Sequence, residues 1–441
     1  MRSLCVFAGL ILACTSALTA QATPAPGTAP DSDLQYVVYL SRHGVRSPTG
    51  KAAQYSQYST GAWPEWPVQP GYLTPHGFHL MELFGSYDRL LLAGEGLLSA
   101  QGCADAARIT VYADSDQRTR ETGKALAQGL MPGCGLAVQA LPEGTNDPLF
   151  HALGDKSVPR DPKRATAAVA GRIGGDPANL TLAYRPQLQA LNHVLASCGT
   201  PQTGTEAAAR TSILDIPTLL AAGTGDHLVE MKGPLNTAST LAENLLLEYT
   251  EGMDKAKVGW GCVGHAELQS LLTLHTAATD FAQRTPEIAT AQAAGLLKHI
   301  GASIEQAASR KPVTGAIGKP TDLALFLIGH DTNQENVGGM LNLTWIVDGR
   351  RDDTPPGGAL VFELWWTRST GGYIVRTFFT AQTLDQMREA VPLTSTHAPD
   401  RVPVFVPGCS NQNMACELHS FVDLLEHGSS SSSTLAGQVL P

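Results

Sequence analysis

Arg42-His43-Gly44-Val45-Arg46-Ser47-Pro48 sets two guanidiniums around one imidazole. Arg is the side chain best suited to fork onto phosphate oxygens. Positive charge on both sides disfavours protonation of His43, and a neutral ring nitrogen is a nucleophile. Gly44 is expected to let the backbone turn sharply and approach a ligand closely. Two more segments bring matching groups. Asp114-Ser115-Asp116-Gln117-Arg118-Thr119-Arg120 supplies Arg118, and Gly329-His330-Asp331-Thr332-Asn333 sets a second imidazole beside a carboxyl. Displacement at phosphorus needs a nucleophile, cations for three equatorial oxygens, and an acid for the leaving oxygen. His43 can attack. Arg42, Arg46 and Arg118, with His330 as a further donor, can neutralise the oxygens. Asp331 can protonate the leaving group and then, as carboxylate, deprotonate a water. The guanidiniums already supply positive charge, so neither a metal nor another cofactor is required.

Each group follows an apolar run that reads as a buried strand: Tyr36–Leu40, Arg108–Ala113 and Leu323–Ile328. Ligands of open α/β sheets bind at the carboxyl ends of such strands, where these residues stand. A helix follows the second strand over Glu121–Leu130. Another opens at Thr74 as N-cap with Pro75 at the first helical position. Ala359–Trp366 and Tyr373–Phe379 read as further strands. Between 151 and 295 the segments Leu188–Leu195, Leu241–Tyr249 and Leu268–Phe281 suggest helices with few strand signals. The expected fold class is therefore α/β: a mostly parallel sheet flanked by helices, formed by 34–150 and 296–427, with a smaller helical cap domain, 151–295, inserted in it. Trp63 and Trp66 read as packing for a long loop. His76, His79 and Arg120 read as surface or core-edge groups.

The first 22 residues have the pattern of an export signal: Arg2, an apolar stretch from Leu4 to Leu18, and Ala20-Gln21-Ala22 as cleavage site. Ile11-Leu12-Ala13-Cys14 faintly resembles a lipoprotein cleavage box, with Leu at its second position and a short apolar run before it. Residues 23–33 read as a linker and 428–441 as a low-complexity tail. The expected location is periplasmic or secreted, and no segment is long enough to cross a bilayer. Forty acidic against 30 basic residues leave a net charge of −10, which argues against nucleic-acid and anionic-membrane partners. A polyanionic substrate would have to be drawn by a local basic pocket. Six cysteines remain beyond the signal, an even number that in an exported protein reads as disulfides. Spacing favours Cys409 with Cys416 and leaves Cys103, Cys134, Cys198 and Cys262 undecided.

The chain resembles the histidine acid phosphatases, branch 2 of the histidine phosphatase superfamily, and most closely bacterial periplasmic 4-phytases. The likeness lies in Ser41–Thr49, Asp116–Arg120, Gln283–Glu287, Gly329–Asn333 and Asp353–Gly358, spread over nearly the whole mature chain. It implies an acid phosphomonoesterase with His43 as nucleophile, Asp331 as proton donor and Arg42, Arg46 and Arg118 on the phosphate. It also implies that Thr49, Glu243, Arg284 and Thr332 line the substrate pocket. Cys103 is thereby paired with Cys134 and Cys409 with Cys416, leaving Cys198 for Cys262. The implied substrate is a small phosphorylated molecule, phytate (inositol hexakisphosphate) first, acted on by a monomer. Glucose 1-phosphate or a broad range of esters is the alternative, and a phosphosugar-binding protein without turnover is a more distant one. Two departures stand out. Gly50 occupies a position where related phytases have Lys, with Lys51 one residue on, and a cysteine expected near the chain end is absent.

Overall fold

The alternation in Tyr36–Leu40 sorts one strand's side chains onto two buried faces. Tyr36, Val38 and Leu40 pack with Leu296 and Ile300 on one side of the sheet. Val37 and Tyr39 pack with Phe84 and Leu126 on the other. The computed structural model describes residues 31–200 and 210–427. The expected signal segment and tail, and all but the end of the expected linker, lie outside the described residues.

In chain order the strands are β1 (Ser32–Arg42), β2 (Ile109–Ala113), β3 (Val138–Gln139), β4 (Leu219–Ala222), β5 (Val229–Lys232), β6 (Ala324–Gly329), β7 (Ile346–Val347), β8 (Arg350–Arg351), β9 (Ala359–Thr367), β10 (Gly372–Ala381), β11 (Asp400–Pro403) and β12 (Ala415–Glu417). Eight form one mixed sheet in the order β11-β10-β9-β1-β6-β2-β3, with β12 also paired to β10. Its parallel half is β1, β6, β2 and β3, and an antiparallel half runs from β9 outward. The α/β class holds. β6 (Ala-Leu-Phe-Leu-Ile-Gly) lies between β1 and β2 with every residue buried, as a central strand covered by helices on both faces must be.

The helices follow their local signals. Thr74 caps Pro75–Gly94 by accepting from the Gly77 amide. The helix after β2 starts at Gln117, four residues earlier than its apolar spacing predicts. Arg118 therefore stands on a helical first turn, which fixes it better than a loop would. Residues 151–295 hold the helices Pro162–Arg172, Arg185–Ser197, Pro234–Thr250 and His265–Ala282, joined by the β4–β5 hairpin. The helix Pro286–Ser309 passes straight through residue 295.

Gly44 answers a different need from the one expected of it. A Cβ there would meet Met81 Cγ at 2.9 Å and the Gly77 carbonyl at 3.1 Å. The close approach seen here is to the helix Pro75–Gly94, which packs directly on the loop after β1.

Candidate active site

Register brings the chemistry together. Arg42 pairs with Gly329 across β1 and β6, and Ala113 pairs with Ile328 across β2 and β6. The next residues, His43, His330 and Asp114, therefore leave three neighbouring parallel strands at one level. The His43 amide donates to the Gly329 carbonyl, and the Asp114 amide to that of Ile328, each at 2.9 Å. The His43 and His330 rings meet edge to face, 5.7 Å between centroids.

Arg42 is wholly buried. Its guanidinium donates to the Thr354 carbonyl at 2.7 Å and to Glu243 Oε1 at 2.5 Å, and lies 3.0 Å from Asp331 Oδ2. Arg46 donates to the same Glu243 oxygen at 3.0 Å. One carboxylate from the helix Pro234–Thr250 thus holds Arg42 at the end of β1 and Arg46 in the loop after it. Arg118 is 2.6 Å from Asp116 Oδ2 and 3.3 Å from His330 Nδ1. Among the described residues, the buried Nε–H groups of Arg42, Arg46 and Arg118 find no acceptor. Three unspent cationic donors around one imidazole call for an anion.

His43 Nδ1 lies 2.9 Å from the Gly44 carbonyl. A carbonyl only accepts, so Nδ1 carries the hydrogen and Nε2 keeps its lone pair. Burial, then the charges of Arg118, Arg42 and Arg46, hold this imidazole well below its ordinary pKa. His43 is an uncharged base beside three cations. His330 Nε2 lies 2.6 Å from Asp114 Oδ2, and the same oxygen is 2.9 Å from His151 Nε2. Asp331 crowns the helix Asp331–Leu341, where its Oδ1 accepts from the Thr332 amide at 2.7 Å. Burial pushes its carboxyl up, but Arg42, His275 and Arg46 outweigh this and hold it below the usual carboxylate range.

Glu243 and Asp331 meet at Arg42, and His275 completes that corner. Its Nδ1 is 3.0 Å from Ser239 Oγ, while its buried Nε2 has no partner among the described residues. Thr332 is half-buried on the first turn after His330. Thr49 is exposed at the rim, where a Cβ on Gly71 would lie 3.6 Å from its methyl and 3.8 Å from Arg118. Arg284 stands apart from this group. Its guanidinium reaches Glu335 at 3.3 Å, bonds the Leu343 carbonyl and covers the Trp345 ring. His275, Asp114 and His151 were not singled out from sequence. Asp114 could have been found as the residue ending β2, but His275 reads as one polar position in a Leu-rich helix.

Beside Ser47 opens a cavity of about 330 Å³ lined by Gly50, Lys51, Tyr55, Trp63, Trp66 and Asn244, among others. Gly50 leaves room there for the Tyr55 side chain. Its amide donates to the Tyr55 hydroxyl, and a Cβ would sit 2.2 Å from that oxygen. The cation moves to Lys51, on the cavity wall. Trp63 is buried edge-on to Tyr55 and Trp260, as loop packing. The cysteines pair as Cys103–Cys134, Cys198–Cys262 and Cys409–Cys416.

Two groups carry metal-ligand donor types: Asp114, His151 and His330, and Glu243, His275 and Asp331. In the first, 2.6 and 2.9 Å are hydrogen-bond separations. A tetrahedral ion with bonds of ~2.0–2.1 Å would hold its ligands roughly 3.3 Å apart. In the second, Arg42 already bridges both carboxylates. Both sets fit the hydrogen bonds and ion pairs they make better than a divalent ion.

An uncharged, buried imidazole among three arginines, with a carboxyl on one of them, is a site suited to a phosphate ester. The chain belongs to the histidine phosphatase superfamily (branch 2), whose sequence profile matches residues 33–380. It is 37% identical to the Escherichia coli phytase AppA over 90% of this chain and 92% of that protein. It is 28% identical to the glucose-1-phosphatase of Salmonella typhimurium over 95% and 96% of the two chains. Among solved structures, the Hafnia alvei phytase in complex with myo-inositol hexakis sulphate superposes with a TM-score of 0.80. That pair shares 36% identity over 91% of this chain and 98% of that one.

Proposed function

We propose that this chain is an acid phosphomonoesterase that hydrolyses phosphate monoesters, phytate foremost, through a phosphohistidine on His43. The observation that carries the reading is the trio of buried arginine N–H groups left without acceptors, on the three guanidiniums whose charge acts on His43. A phosphate group bound there satisfies them. His43 Nε2 attacks phosphorus as the ester P–O bond breaks, and Asp331 gives its proton to the departing alkoxide. The Asp331 carboxylate then takes a proton from water. That water displaces His43 by breaking the P–N bond, which releases phosphate and restores the site. Arg42, Arg46, Arg118 and His330 hold the equatorial oxygens. Glu243 keeps Arg42 and Arg46 aligned, while Thr49 and Thr332 face the rest of the substrate. Arg284 supports the helix Asp331–Leu341 from behind through Glu335.

Phytate is favoured over a monophosphate because the Lys51 cavity adjoins the arginine cluster and offers a second cation to a ligand with several phosphates. The naming of relatives as phytases, one of them holding an inositol hexakis sulphate, supports the same choice. We place the enzyme outside the cytoplasm, periplasmic or secreted, where three disulfides persist. No described helix is long and apolar enough to cross a membrane. We take residues 151–295 as a cap on the α/β domain, because an apolar cluster drawn mainly from these helices packs apart from the two that flank the sheet. We take the chain to act as a monomer. The test is a comparison of kcat/KM for phytate, glucose 1-phosphate and an aryl phosphate. Phytate should lead by tenfold or more, ~1.4 kcal/mol in transition-state binding. A lead for glucose 1-phosphate would reassign the substrate, and no turnover of any ester would remove the enzymatic reading.

A further inference from the structure

His330 does not own its carboxylate. Asp114 Oδ2 lies 2.6 Å from His330 Nε2 and 2.9 Å from His151 Nε2, and the two rings are 5.2 Å apart. Asp114 is completely buried, and its other oxygen has no partner among the described residues. One negative charge therefore serves two imidazoles. His330 Nδ1 faces Arg118 at 3.3 Å, so that nitrogen accepts a hydrogen bond. It can donate to a phosphate oxygen only when His330 gains a second proton, and Asp114 is the charge placed to favour that proton.

We propose that His151 is a positioning residue: by sharing Asp114 with His330, it sets the pH range over which His330 can hold phosphate. The inference rests on the reading of His330 as a phosphate donor. A proton on His151 cancels the charge that would otherwise favour one on His330. The side chain of His151 is 44% exposed and exchanges protons with solvent, whereas that of His330 is 6% exposed. The hydrogen bond to Asp114 raises His151 above its ordinary pKa, while burial lowers His330. His151 therefore takes the proton first as the pH falls.

The other charges nearby act on both rings. Asp116 Oδ2 is 3.8 Å from His330 Nε2 and favours protonation, as it does for His151. Arg118 opposes it on both. His43 lies edge-on to His330, and Asp331 is the next residue. Behind His151, the turn Ala152–Gly154 packs on the helix Pro286–Ser309. Glu287, His299, Asp155, Arg160 and Arg164 line a separate cavity there with Ala152. Among the described residues none of these five forms an ion pair with His151.

His151→Asn keeps an N–H donor for Asp114 but cannot titrate, and His151→Ala removes the donor as well. Two readouts decide: competitive inhibition by inorganic phosphate as a function of pH, and the His330 ring titration by NMR. In both variants His330 inherits the whole charge of Asp114. Its midpoint and the alkaline limb of phosphate affinity should then rise by about half to one pH unit, ~3- to 10-fold tighter binding on that limb. The kcat at the optimum should stay within about threefold of wild type. Unmoved or lowered midpoints in both variants, with unchanged melting temperatures, overturn the proposal. Failure of the wild type to hydrolyse any phosphate ester would count against the enzymatic reading instead. The His330 midpoint would still decide this one.

Discussion

In the proposed mechanism Asp331 has to be two things in one turnover, an acid and then a base, and its surroundings favour only the second. Arg42 at 3.0 Å, with His275 and Arg46, keeps its carboxyl ionised. A bound phosphate dianion supplies the missing term, because it neutralises those cations and repels a carboxylate at its edge. The sign follows directly. A depressed carboxyl in the free enzyme loses its proton at low pH, and substrate binding raises it. The alkaline limb of kcat, which reports the complex, should lie at higher pH than that of kcat/KM, which reports the free enzyme. Asp331→Asn removes both the acid and the later base. It should slow hydrolysis of an alkyl phosphate ~10²–10⁴-fold while sparing an activated aryl phosphate in the first step, since that leaving group needs no proton. Equal first-step losses on both esters, measured in single turnovers, would deny Asp331 the acid role.

At the scale of elements, the site was legible wherever a strand announced its own end. Tyr36–Leu40 and Leu323–Ile328 are apolar runs that stop at the candidate site residues, so His43, Arg42, His330 and Asp331 could be read directly. Asp114 and His151 could not be paired in that way, because their meeting depends on the β2–β6 register and on a turn 37 residues away. Arg284 shows the opposite failure. Its motif is present, yet its guanidinium turns inward to Glu335. The region 151–295 is helical, as the Leu spacing implies, but the β4–β5 hairpin has no clear sequence signal, since its strands are short, neither holds a fully buried residue, and Leu219 of β4 is exposed. Glu243 reaches the arginines and His275 stands beside Glu243 and Asp331, from two helices of this region, so its integrity matters to the site. The Cys198–Cys262 bond spans 64 residues and ties the end of the helix Arg185–Ser197 to the segment ahead of the helix bearing His275. Replacing both cysteines with Ser should cost about 2–5 kcal/mol, read as a lower melting temperature, with phosphate affinity near wild type at low temperature. An unchanged melting temperature would show that packing alone holds these helices.

Across the whole molecule, a net charge of −10 surrounds a pocket in which three arginines meet one imidazole. In the proposed reading the acidic exterior disfavours large polyanions while the pocket draws a small one to an uncharged histidine at its centre. The central claim is that His43 carries the phosphoryl group between the two halves of the reaction. It is tested most directly by mixing the Asp331→Asn variant with an activated aryl phosphate, quenching in alkali to preserve a P–N bond, and mapping the modified peptide by mass spectrometry. One phosphoryl group on His43, absent in a His43→Ala control, is the predicted result. Release of the aryl alcohol with His43 unmodified at every quench time would contradict it.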